Sequence, residues 1–191
     1  MELLEKRILS DGKVKPGNIL KVDSFLNHQL DPELFYQMAL EFGRLFKDCG
    51  VNKILTLEAS GIALAVMTGY VMGCKAVFAK KSKSANISDD VYSAEVRSYT
   101  HGTVNTVIVS KEYLNPGDRI LIVDDFLATG AAALGLKALA DQAGASLAGV
   151  GIAVEKSFQS GRSLLEERGI RVESLARIAS MSDTGLTFVQ D

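Results

Sequence analysis

Tryptophan is missing from this chain of 191 residues, and proline, histidine and cysteine are scarce at three, two and two. The two histidines, His28 and His101, give metal-centred catalysis little to work with. The two cysteines, Cys49 and Cys74, stand far apart, with neither metal-ligand nor redox-pair spacing. They read as reduced thiols packed like small hydrophobes, which points to a cytoplasmic protein. No apolar run approaches the roughly 18 residues of a membrane helix. The opening MELLEKRILS is charged and amphipathic, expected as a short helix with Leu3, Leu4, Ile8 and Leu9 on one face, not as a secretory signal or membrane anchor. Charge of one sign is also missing. Lys and Arg number 21 against 23 Asp and Glu, a formal net charge of -2, so neither nucleic acid nor membrane is an expected partner. No G-x-G-x-x-G, P-loop lysine, internal repeat or low-complexity tract occurs. Hydrophobic residues at 47% and charged residues at 23% suit a single soluble globular domain spanning residues 1–191.

The most informative stretch is ILIVDDFLATGAAA, residues 120–133. A buried strand, Ile120 to Val123, runs into two adjacent carboxylates, Asp124 and Asp125, then a small-residue loop and an alanine-rich helix. Loop N–H groups and a helix N-terminus hold phosphate. The two acids can accept hydrogen bonds from vicinal hydroxyls. One stretch could therefore grip both ends of a ribose 5-phosphate.

Around it, hydrophobic patterning predicts alternating strands and helices. Residues 12–30 read as irregular. Asp31-Pro32-Glu33 starts a helix that carries Leu34, Phe35, Met38, Phe42, Leu45 and Phe46 inward and ends at Gly50. Strands are expected at Lys53–Leu57, Cys74–Ala79, Arg119–Val123, Leu147–Val154 and Val172–Ile178. Helices are expected at Ile62–Val71, from the opening motif to about Gln142, and at Ser163–Arg168. Val91–Thr100 and Thr103–Ser110 should pair as a hairpin around His101-Gly102. The fold class is α/β: a mostly parallel central sheet flanked by helices on both faces. Ligands of such sheets bind beyond the carboxyl ends of the strands. Residues 58–61, 80–83, 124–132 and 155–158 should therefore gather at one rim.

VDDFLATGAA resembles the phosphoribosyl-diphosphate loop of the type I phosphoribosyltransferases. Leu57-Glu58-Ala59-Ser60-Gly61-Ile62 is similar to their diphosphate loop, and residues 80–110 to their lid. The N-terminal hood segment, about residues 1–30, with Val22-Asp23-Ser24-Phe25-Leu26-Asn27-His28-Gln29, resembles the xanthine-using members. So does Val154-Glu155-Lys156-Ser157-Phe158. The resemblance implies transfer of phosphoribosyl from phosphoribosyl diphosphate to xanthine. It places the 5-phosphate on Ala128, Thr129, Gly130, Ala131 and Ala132, and the ribose hydroxyls on Asp124 and Asp125. The diphosphate falls to Ala59, Ser60 and Gly61, with Lys81 and its neighbours Lys80 and Lys83, and the base to Leu20, Asn27, Lys156 and Phe158. Mg²⁺ is implied, carried mainly by the diphosphate. A homodimer and a cis peptide at Glu58–Ala59 are implied as well.

Two departures stand out. Ala132 replaces a hydroxyl residue common in relatives. Ala128 stands where hypoxanthine-guanine members carry an aspartate proposed as general base; xanthine, a more acidic purine, needs less help. From the residues alone, Leu20 reads as core, Asn27 as a turn residue and the lysines as a solvated loop. Open alternatives are a hypoxanthine/guanine or adenine enzyme, or a non-catalytic purine-responsive regulator of the same fold.

Overall fold

A computed structural model describes residues 1–81, 90–97, 104–182 and 185–190. Helix α1, Glu2–Asp11, leads into a hairpin of β1, Lys13–Lys15, and β2, Ile19–Lys21. The turn between them uses Gly17 and Asn18 at φ 84° and 58°, left-handed backbone that glycine takes freely and asparagine tolerates. A single π-helical turn follows at Asp23–Asn27. Residues 12–30 are therefore more ordered than expected, because three-residue strands are too short to show a period. In α1 the i, i+4 pair Leu4 and Ile8 is buried, whereas Leu3 and Leu9 fall off that face and are exposed, contrary to expectation.

Helix α2, Pro32–Leu45, begins as expected. The Leu34 N–H donates to the Asp31 carboxylate at 3.2 Å, and Pro32 fills the first turn. The helix stops at Leu45, short of Gly50, and turns join it to β3, Lys53–Leu57. Phe46 is still fully buried, while Leu45 is only partly so. Then come α3, Gly61–Met72, and β4, Lys75–Ala79. Strands β5, Val91–Arg97, and β6, Val104–Ser110, form the expected antiparallel hairpin. Its His101-Gly102 turn, like Lys83, lies outside the described residues. The remaining elements are β7, Arg119–Leu127, α4, Ala131–Gln142, β8, Ser146–Lys156, α5, Gly161–Glu166, β9, Val172–Ser182, and β10, Gly185–Phe188.

The sheet order is β10-β9-β8-β7-β3-β4, parallel throughout except for β10. Both faces are covered, which is why Ile120–Val123 of β7 reads as an unbroken apolar run. Leu121 and Val123 face a core with Phe25, Phe42 and Leu64 from the hood turn, α2 and α3. Ile120 and Ile122 face a second core with Leu136 and Leu139 of α4 and Val107 and Val109 of β6. Each such fully buried side chain stabilises the fold by about 1.5–3 kcal/mol. The hairpin stem is docked on α4. The Gln142 side-chain amide donates to the Ser93 carbonyl at 2.8 Å and accepts from the Ser93 N–H at 3.3 Å. Among the described residues, no helix is long and apolar enough to cross a membrane.

Candidate active site

The acid pair does not follow its strand, as expected, but lies within it. The ladder between β7 and β8 continues past Asp124, paired with Ile152, to Leu127, paired with Glu155. Glu155 and Lys156, expected in a loop, likewise belong to β8. Backbone pairing continued because nothing in DDFL or EK breaks a strand. The turn itself is only Ala128-Thr129-Gly130. Gly130, at φ 82°, reverses the chain into α4.

These small residues open onto a cavity of about 210 Å³. Its wall contains Asp124, Phe126, the run 128–133 and Lys81, and the hairpin closes it with Val96, Asn105 and Val107. The first N–H groups of α4 start at this wall, where a helix has no internal acceptors for them. Asp125 is buried, 8% exposed, and does not line the cavity. Its N–H donates to the Asp124 carboxylate at 2.9 Å. Burial, and then the neighbouring Asp125 charge, hold the Asp124 carboxyl well above the usual aspartate range; Lys81 pulls the other way.

The Glu58–Ala59 peptide is cis. Its loop is fitted tightly against the acids: a Cβ on Gly61 would lie 2.2 Å from Thr56 Oγ1 and 2.9 Å from Asp124 Oδ1. The Lys81 N–H donates to Glu58 Oε1 at 2.6 Å. Segments 58–61, 80–81 and 124–133 therefore meet at one rim. Ala59, Ser60 and Gly61 stand beside this cavity without lining it.

The fourth segment joins through two contacts. Lys156 Nζ lies 5.9 Å from the centre of the Phe126 ring and donates to the Asn18 carbonyl of the hood hairpin at 2.9 Å. Burial lowers its pKa. On the other side of the turn, the Gly161 N–H donates to the Ala128 carbonyl at 3.0 Å. Leu20 is buried, Asn27 and Phe158 are exposed, and none of the three lines the cavity.

Sequence reasoning passed over Phe126, Asn105 and Gly161. Phe126 was hidden inside the acid motif as an ordinary strand residue, and Asn105 inside a β-pattern. Gly161 carried the one usable signal: a glycine at the start of a helix, where close backbone approach is the usual reason.

The Giardia lamblia APRTase complexed with 9-deazaadenine superposes with TM-score 0.76 over 90% of this chain and 96% of that one, at 20% identity, which is a likeness of fold. No family model matches the chain. Full-length relatives do, among them these two. A xanthine phosphoribosyltransferase of Ligilactobacillus salivarius (strain UCC118) is 53% identical over 188 residues, 98% of each chain. One of Limosilactobacillus reuteri (strain DSM 20016) is 53% identical over 191 residues, 100% of each. Identity at that level across the whole length, on a fold with this cavity, means that the chain belongs to the xanthine phosphoribosyltransferase family.

Proposed function

We propose that the protein transfers the 5-phosphoribosyl group from phosphoribosyl diphosphate to xanthine, giving xanthosine 5'-monophosphate and diphosphate. The observation that carries this reading is the meeting of Asp124, Lys81 and the 128–132 turn on one cavity, with Lys156 beside it on the next strand. The backbone N–H groups of Ala128, Thr129, Gly130, Ala131 and Ala132, with the Thr129 hydroxyl, take the 5-phosphate. Asp124 and Asp125 take the ribose hydroxyls and stabilise positive charge at the anomeric carbon as the glycosidic bond changes partner. Ala59, Ser60 and Gly61 offer donors to the leaving diphosphate, and Lys81 balances its charge.

Lys156 donates to the 6-oxo group, a position where the amino group of adenine would meet an ammonium with no acceptor. Asn27 donates to the 2-oxo group, Leu20 contacts the base from the hood, and Phe158 or Phe126 stacks on the ring.

Among the described residues no three His, Cys, Asp or Glu side chains cluster as a metal cage. Mg²⁺ would be carried mainly by phosphoribosyl diphosphate and would stay largely hydrated. Bound there, it would neutralise charge on the leaving group. The protein works as one domain, with a hood at residues 1–30 and a lid at 80–110. It acts as a homodimer in the cytoplasm.

The test is diphosphate release with xanthine, guanine, hypoxanthine and adenine in turn. Xanthine is expected to have the highest kcat/KM. Lys156→Ala and Asn27→Ala should raise the xanthine KM by about tenfold or more, the size expected for an unpaired oxo group. Equal turnover of all four bases would defeat the assignment.

A further inference from the structure

Glu155 is 1% exposed, beside Lys156 and opposite Leu127 of the phosphate-bearing strand. Burial alone would push its carboxyl upward; hydrogen bonds from Arg162, Ser174 and Ser157 outweigh this and hold it below the usual range. Arg162 spans both oxygens. Its Nε is 3.0 Å from each, and Nη2 is 2.6 Å from Oε2. Ser157 Oγ donates at 2.7 Å and Ser174 Oγ at 2.5 Å. Arg162 Nη1 also donates to Glu166 at 2.9 Å and to the Val172 carbonyl at 3.1 Å. One carboxylate thus ties the turn after Lys156 to α5 and to β9.

The other end of this assembly touches the phosphate turn. Gly161, adjacent to Arg162, donates to the Ala128 carbonyl at 3.0 Å. Its backbone lies so close that a Cβ on Gly130 would sit 3.2 Å from the Gly161 carbonyl oxygen. Arg162 is therefore fixed at once to the strand that presents Lys156 and to the helix start that supports residues 128–130. The fork matters here, because a guanidinium makes a planar two-pronged contact that an ammonium cannot copy.

We infer that Glu155 and Arg162 are positioning residues: a brace, buried at its carboxylate, that sets the spacing between the base-reading turn at Lys156 and the 5-phosphate turn at 128–130. The inference rests on the roles proposed above for those two turns. In a transfer reaction the base nitrogen and the anomeric carbon must meet in line, and small misplacement is costly even when each substrate binds well. The brace therefore acts on the joint alignment of the two substrates and little on either one alone.

The experiment uses the full-length protein with Arg162→Lys and Glu155→Gln. Competent sites are counted by calorimetric titration with phosphoribosyl diphosphate and Mg²⁺, and kcat is expressed per competent site, well below each variant's Tm. The expected result is a near-parental Kd for phosphoribosyl diphosphate with kcat per site lower by about tenfold to a hundredfold. If either variant fails to fold, Ser174→Ala, which removes one partner of both groups, should show a smaller fall of the same kind. A kcat per competent site equal to the parent's in the folded variants, whatever the loss of Tm, overturns the brace and leaves a purely structural network. Lys156→Ala run alongside separates the two ideas. An unchanged xanthine KM there removes the base-site reading itself, whereas a raised KM there with parental kcat in the brace variants removes only the brace.

Discussion

Asp124 holds its proton more tightly than an ordinary aspartate because burial and Asp125 both oppose its charge. Its folded pKa is raised, so any stability tied to its neutral form is complete below the unfolded aspartate range. That stability is lost as pH climbs from there to the raised value. Asp124→Asn removes the titration. The variant and parent should melt alike in acid, and near neutral pH the unliganded variant should melt higher, as differential scanning calorimetry would register. Nucleotide synthesis should fall by about a hundredfold in the same variant, the scale of losing one transition-state charge contact. A neutral-pH Tm for Asp124→Asn below that of the parent would contradict this reading. The acid pair itself was readable, since two carboxylates after an apolar run have few structural uses. Phe126 was not, because its proximity to Lys156 depends on a strand pairing that no local pattern reveals.

At the scale of elements, the turn proposed to hold the phosphate is packed against a glycine from a distant helix. A Cβ at Gly161 would lie 2.5 Å from the Ala128 carbonyl oxygen and 3.0 Å from the Gly130 nitrogen, both backbone atoms that cannot rotate away. Gly161→Ala should therefore displace the turn. The expected cost is about 1–3 kcal/mol in a denaturant titration. It should raise KM for phosphoribosyl diphosphate more than it changes KM for xanthine. A variant with parental KM for both would show that the turn needs no such backing. Helix and strand identities were legible from period and capping, as Asp31-Pro32 shows at α2. Their ends were less so. The ladder ran on through Asp124 to Leu127 and through Lys156 because hydrogen bonding to a neighbouring strand, not composition, decides where pairing stops.

Over the whole molecule, one surface is out of keeping with a lone chain. Helix α3 carries no charged residue and leaves Val66 57% and Tyr70 78% exposed. Beside it, Leu40, Val51, Val71 and Met72, together with Lys47, line a shallow groove shared with α2. A helix apolar all round is ordinarily covered. A second copy is the occupant consistent with the expected homodimer. Sedimentation should give a dimer for the parent and a monomer for Val66→Glu combined with Tyr70→Glu; a monomeric parent would refute it. The sheet's strand order was foreseeable only in outline, since parallel strands are joined by crossovers whose neighbours lie far apart in sequence.

The proposed sugar grip occupies one unbroken run of chain, Asp124 through Ala132, and the same run supplies the Phe126 ring beside Lys156, whereas the carbonyl that Lys156 meets belongs to the hood hairpin. Pentose handling and base handling therefore share one stretch of backbone at Phe126. Retargeting the catalyst toward an unfamiliar heterocycle is then a matter of exchanging the hairpin and the tip of β8, with Phe126 kept in place because the pentose handle shares its backbone.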